Sequence, residues 1–124
     1  MFEDAIIDHI VINVNSRIKM EEFYCTVLGF SVARKIPDMT QLRLGSILID
    51  LVDSTSSQLP RVRNNNIEHF CLCVFPFECH KIQNHFRKNK VRFEPPASRF
   101  GASGYGESLY FYDIEENKIE LKAL

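Results

Sequence analysis

His9 and His69 stand 60 positions apart, and Asp50 and Glu120 stand 70 apart. Each pair belongs to a longer match. Ile7-Asp8-His9-Ile10-Val11-Ile12-Asn13-Val14 lies over Ile67-Glu68-His69-Phe70-Cys71-Leu72-Cys73-Val74 at one constant offset, histidine on histidine. Ile49-Asp50-Leu51 lies over Ile119-Glu120-Leu121, acid on acid. Imidazole and carboxylate are donors suited to Zn, Ni, Mn or Fe(II). Two imidazoles and one carboxylate leave coordination positions open, which is the habit of a catalytic metal site rather than a closed structural one. A lone strand histidine is ordinarily a satisfied, partly buried residue, and a late glutamate is ordinarily solvated. The joint repeat is what singles out these four.

Elements must bring them together. Residues 8–14 alternate and are β-branched, which predicts a strand. Met20, Phe23, Tyr24, Val27 and Leu28 recur at helical spacing, with Asn15 or Ser16 as the start cap and Gly29 as the left-handed end. Three strands follow, around Ser31–Lys35, Gln41–Leu44 and Ile47–Val52, the last two joined by a tight hairpin at Gly45-Ser46. The second half repeats the order. It has a strand at 67–74 and a helix from near Pro76 through Cys79, Ile82 and Phe86, with Asn89 as end cap. Strands near Val91–Glu94, Ser108–Asp113 and Lys118–Ala123 complete it. The fold class is therefore α+β: two βαβββ modules, about residues 1–60 and 61–124, forming an open, curved mixed sheet in one domain. The polar stretches Asp53–Pro60 and Asn64–Asn66 read as the linker. The change of offset by ten is assigned to a longer loop, Pro95–Gly106, whose Gly-Ala-Ser-Gly-Tyr-Gly run is expected to form a mobile rim.

Alternation sorts the strands into two faces. Ile10, Ile12 and Val14, with Phe70, Leu72 and Val74, must pack on the helices. The other face carries His9, His69, Asp50, Glu120, Arg43, Ser108, Tyr110 and Tyr112, an inventory suited to a polar cleft. Cys71 and Cys73 share that face as small space-fillers. His80 and His85 are five apart on a helix, not four, and read as surface residues.

Composition bounds the rest. The chain has 124 residues, 45% apolar and 25% charged, enough to bury one core. Fifteen Lys+Arg balance sixteen Asp+Glu, so the electrostatic footprint of nucleic-acid or anionic-membrane binding is missing. No apolar run approaches a membrane span, and the acidic start Met1-Phe2-Glu3-Asp4 is unlike a secretory signal. Cys25, Cys71, Cys73 and Cys79 lack C-x-x-C spacing and are expected reduced, in a cytoplasmic protein.

The repeat resembles the vicinal oxygen chelate superfamily, which includes glyoxalase I, fosfomycin-resistance thiol transferases, extradiol dioxygenases and bleomycin-resistance proteins. The carrying segments are Asp8–Val14, the Phe23-Tyr24-x-x-x-Leu28-Gly29-Phe30 motif, Leu44-Gly45-Ser46, Ile49-Asp50-Leu51, Ile67-Glu68-His69, Ser108–Asp113 and Ile119-Glu120-Leu121. The resemblance implies a divalent metal held by His9, His69 and Glu120. Asp50 stands at the place of a fourth ligand and is one methylene shorter than the family's usual residue. Glu120, Asp50 and Tyr110 are the implied catalytic residues, and Arg43, Tyr110, Ser108 and Arg99 the substrate contacts. The implied activity is a glyoxalase-type lyase or isomerase acting on a small oxygen-chelating substrate, with a thiol such as glutathione as a possible partner. A thiol transferase, an Fe(II) dioxygenase and a non-catalytic drug-binding module are the alternatives. Val11 replaces the hydroxyl residue of the fosfomycin enzymes, and Asp113–Asn117 lacks the glycine of the usual D-P-D-G-N turn. Single-module members pair into dimers, so a homodimer is expected.

Overall fold

The computed structural model describes Met1, residues 3–54 and residues 67–124. The chain divides into two compact units, Met1–Val62 and Arg63–Leu124. The expected boundary near residue 60 and most of the expected linker lie outside the described residues.

The first unit runs β1 (His9–Val14), α1 (Arg17–Glu22), β2 (Ser31–Ile36), β3 (Met39–Leu44) and β4 (Ile47–Asp53), with sheet order β1-β4-β3-β2. The second runs β5 (Phe70–Val74), α2 (Cys79–Lys88), β6 (Ala97–Gly101), β7 (Gly104–Tyr112) and β8 (Lys118–Ala123), ordered β5-β8-β7-β6. Each unit is thus βαβββ with a mixed four-stranded sheet. The opening strand pairs in parallel with the closing one, and the rest is antiparallel. A parallel pair needs a crossover, and the helix and the two intervening strands supply it.

The cores follow the alternation. In the first unit Val14, Met20, Tyr24, Leu42, Ile49 and Leu51 are fully buried. Burying each aliphatic side chain of this size is worth about 1.5–3 kcal/mol. Ser16 caps α1 by accepting from the Lys19 amide at 3.3 Å. The expected helix continues past Glu22 as a wider π-type turn, Phe23–Val27, and ends at Gly29 with φ 80°. In the second unit Phe86 of α2 packs on Phe111, centroids 4.8 Å apart, and on Phe93 at 5.9 Å.

Two expectations need correction. The stretch Val91–Glu94 is not a strand; it makes only an isolated bridge, Phe93 to Phe111. The strand is β6, beyond Pro95-Pro96, within the segment expected to be a loop. The Gly-rich run is instead the β6–β7 hairpin, closed by Gly101 opposite Gly104, with Gly104 at φ 93° in a conformation that favours glycine. As expected, Asn89 caps α2, at φ −97°, and Lys90 after it takes the left-handed position at φ 57°. The Val91 amide then donates to the Phe86 carbonyl at 2.9 Å and the Lys90 amide to the Arg87 carbonyl at 3.2 Å, closing a Schellman turn.

The turn that launches β8 works without its glycine. The Asp113 carboxylate accepts from the Glu115 amide at 2.9 Å, the Asn117 amide at 3.0 Å and the Asn117 side chain at 2.8 Å. Glu116 takes the left-handed conformation, φ 68°. This anchored turn sets where β8, and hence Glu120, begins.

Candidate metal and substrate site

Each unit's parallel ladder places its histidine and its acid in the same relation. In the first unit His9 faces Leu48 and Val11 faces Asp50; in the second Cys71 faces Glu120. His69 comes just before β5 and so stands one step ahead of the Phe70–Ile119 pair. A histidine two residues before the acid's partner lies on the acid's face, because strand side chains alternate.

In the second unit the two groups meet. His69 Nε2 lies 3.1 Å from Glu120 Oε2. The other imidazole nitrogen, Nδ1, bonds the Glu68 carboxylate. Glu68 in turn accepts from Lys118 Nζ at 2.8 Å. That ammonium, and then His69, hold the Glu68 carboxyl below its ordinary range. Glu120 is only 7% exposed, and its Oε1 is buried with no hydrogen-bond partner. Tyr110, opposite Glu120 in the β7–β8 ladder, stands edge-on to His69 with centroids 5.2 Å apart. Its ring carries Lys118 Nζ and the Arg99 guanidinium, each 4.1 Å from the centroid. Arg99 Nη1 donates to Ser108 Oγ at 2.8 Å. The second unit therefore gathers His69, Glu120, Tyr110, Ser108 and Arg99 of the expected site.

The first unit repeats the outline. His9 Nδ1 lies 2.7 Å from Asp8 Oδ2. That hydrogen bond above all, helped by the Asp50 charge, pushes the His9 imidazole above its ordinary pKa. Asp50 is 4% exposed, and its Oδ1 is buried without a partner. Arg43 is exposed on β3 and pairs with Leu48, the strand position that also faces His9. The Tyr110 position is taken by Gln41, opposite Asp50.

These donor sets fit a divalent cation. In both units a carboxylate takes one imidazole nitrogen, fixing the ring and leaving Nε2 as the donor, the usual outer-shell arrangement around a metal-binding histidine. A buried carboxylate oxygen with no partner is costly unless something positive meets it. Among the described residues, no three His, Cys, Asp or Glu side chains gather at metal-holding spacing, so each unit by itself offers two donors.

Cys71 and Cys73 are exposed on the same face of β5. Desolvation of its sulfur, and next the Glu120 charge, push the Cys71 thiol up to about 12. It is poorly suited to act as a thiolate nucleophile. His80 and His85 are exposed on α2, as their spacing suggested. Asp8, Glu68 and Lys118 are site residues that the sequence reading did not single out; the signal was the acid directly before each repeated histidine.

Among the described residues no helix is long and apolar enough to cross a membrane. The family profile of the Glyoxalase/Bleomycin resistance protein/Dioxygenase superfamily matches residues 6–121. An integron cassette protein from the mobile metagenome of V. cholerae is 25% identical, with a TM-score of 0.80 over 96% of this chain and 94% of that one. A lactoylglutathione lyase from Agrobacterium tumefaciens is 20% identical, with a TM-score of 0.72 over 96% and 93%. The fosfomycin resistance protein FosX of Listeria monocytogenes is 20% identical, with a TM-score of 0.72 over 97% and 93%. The last two are likenesses of fold.

Proposed function

Because the chain belongs to the Glyoxalase/Bleomycin resistance protein/Dioxygenase superfamily, we propose that it is a metal-dependent enzyme of glyoxalase type, a lyase or isomerase acting on a small oxygen-chelating substrate. The observation that carries this reading is the His69–Glu120 pair, with Nδ1 of the histidine secured and one glutamate oxygen buried and unpartnered.

In this reading His69 Nε2, Glu120 and His9 would serve as ligands of a divalent Zn, Ni, Mn or Fe ion. Such an ion would supply Lewis acidity toward the substrate's oxygens. The chain's own residues do the remainder. Glu68 and Asp8 keep the imidazoles in the donor tautomer. A carboxylate oxygen, at Glu120 or Asp50, takes the proton from the substrate C–H and returns it to the neighbouring carbon, so no proton is lost to water. Tyr110, Ser108, Arg99 and Arg43 orient the substrate. The partner is a small molecule, with a thiol such as glutathione suggested by the name of the Agrobacterium enzyme. The working form is a cytoplasmic homodimer.

Calorimetric titration with Zn, Ni and Mn tests the site, with lactoylglutathione turnover followed by its thioester absorbance. The expected result is uptake by the wild type, with His69→Ala, Glu120→Ala and His9→Ala each weakening it at least tenfold, and turnover falling in step. Metal uptake indifferent to His69→Ala and Glu120→Ala would overturn the reading. Tight, redox-active iron without turnover of the thioester would move it to the dioxygenase alternative.

A further inference from the structure

Lys122 is a lysine with 1% of its surface exposed. It shares the face of β8 with Lys118 and Glu120, by alternation. Its stem lies against the β6–β7 hairpin, where glycine stands at both positions it meets. A Cβ on Gly101 would lie 3.3 Å from Lys122 Cδ and Cε, and one on Gly106 would lie 3.1 Å from Nζ. The two glycines form a slot shaped to the side chain, and at Gly106 a Cβ would also press on the Ala123 carbonyl at 3.0 Å.

The slot does little to satisfy the charge it holds. Nζ donates to the Ala123 carbonyl at 3.3 Å and to Ser103 Oγ at 3.5 Å, both long and both neutral. Among the described residues no carboxylate lies within the 4.0 Å of an ion pair with it. A buried ammonium without an anion is an expensive feature to keep. Among the described residues Arg99 is a second cation without an acidic partner. Its Nη1 is anchored on Ser108, to the carbonyl at 3.1 Å and to Oγ at 2.8 Å. Ser108 is fully buried and faces Lys122 in the β7–β8 ladder. The two unpaired cations thus flank one buried serine. Lys118, by contrast, has its acid in Glu68.

We propose that Lys122 and Arg99 form the docking point for an oxyanion group of the substrate, a carboxylate or a phosphate, one strand step from Glu120. This rests on the enzymatic reading above and names the charge of the molecule that the site accepts. Arg99 is half-exposed and supplies the approach. The contact that an arriving anion replaces is the weakest one, to the exposed hydroxyl of Ser103 at the hairpin tip.

The test uses the full chain without added metal, so its failure leaves the metal reading standing, and a failed metal titration leaves this one standing. Binding of sodium phosphate and of sodium acetate is measured by NMR titration and thermal unfolding, at ionic strength held constant with chloride. Wild type, Lys122→Met and Arg99→Gln are compared. The expected result is saturable binding of one anion by the wild type, weakened at least tenfold in both variants. The anion preferred identifies the substrate group as phosphate or carboxylate. Lys122→Met, relieved of an uncompensated charge, is further expected to melt above the wild type in chloride alone. If Lys122→Met fails to fold, Arg99→Gln on its half-exposed side chain carries the comparison. Wild type that answers neither anion beyond chloride, or folded variants that bind as the wild type does, would overturn the proposal.

Discussion

Glu120 keeps one carboxylate oxygen 3.1 Å from His69 Nε2 and the other buried with no partner. The imidazole between Glu120 and Glu68 is therefore held from both ends. Glu68→Gln removes the charge that fixes Nδ1 while keeping the shape. It is expected to weaken metal uptake roughly 10- to 100-fold, the usual cost of losing such an outer partner. Asp8→Asn is expected to act in the same direction at His9. Calorimetry measures both, and an Nδ1 proton resonance that shifts in Glu68→Gln separates positioning from collapse of the fold.

The Cys71 thiol, raised to about 12 by desolvation and by Glu120, is expected to react slowly in spite of its exposure. Three units above the ordinary value of 9.0 lowers the thiolate fraction about a thousandfold, partly offset by the greater nucleophilicity of a more basic thiolate. Iodoacetamide at pH 8, followed by peptide mass spectrometry, should find Cys71 largely unmodified when a free model thiol is consumed. Glu120→Gln should speed the reaction, and Lys122→Met, which removes an opposing positive charge, should slow it.

Lys90 holds a left-handed conformation, φ 57°, at the end of α2. A residue with a Cβ spends about 1 kcal/mol to do so, which glycine avoids. Lys90→Gly, at an exposed site, is expected to stabilise the protein by roughly 0.5–1 kcal/mol. A rise in the midpoint of urea unfolding with an unchanged slope is the result to look for.

Tyr112 donates its hydroxyl proton to Glu94 Oε2 at 3.0 Å. That bond raises the phenol above its ordinary value of 10.0. The folded state then holds the proton more tightly than the unfolded chain does. The bond's contribution is whole below pH 10.0 and is lost as pH climbs through the raised value. Titration of tyrosinate absorbance should show one phenol lagging, and Glu94→Gln should return it toward the ordinary range.

Much of the architecture could be read before any coordinates. The alternation around His9 and His69 put Ile10, Ile12 and Val14, and likewise Phe70, Leu72 and Val74, on the less exposed face of each strand, because a two-residue period leaves no other choice once one face is apolar. Lys118–Ala123 was expected as a strand and is β8 to the residue. The repeat offsets of 60 and 70 return in the ladders, where Ile10 pairs with Ile49 and Phe70 with Ile119. What escaped was whatever depends on pairing rather than on type. Ala97-Ser98-Arg99-Phe100-Gly101 is polar, follows two prolines and contains no β-branched residue; only β7 beside it makes it a strand. The burial of Lys122 escaped for a related reason. Lysine is ordinarily exposed, and two glycines distant in sequence had to be brought beneath it.

Each unit closes its own hydrogen-bonded ladder from first strand to last, with the acid and the histidine at matching rungs. The molecule consequently carries its own internal control. A substitution made at one rung can be compared with the untouched counterpart in the same tube, at the same pH and temperature. The single methylene between Asp50 and Glu120 is a comparison of that kind which the chain already contains.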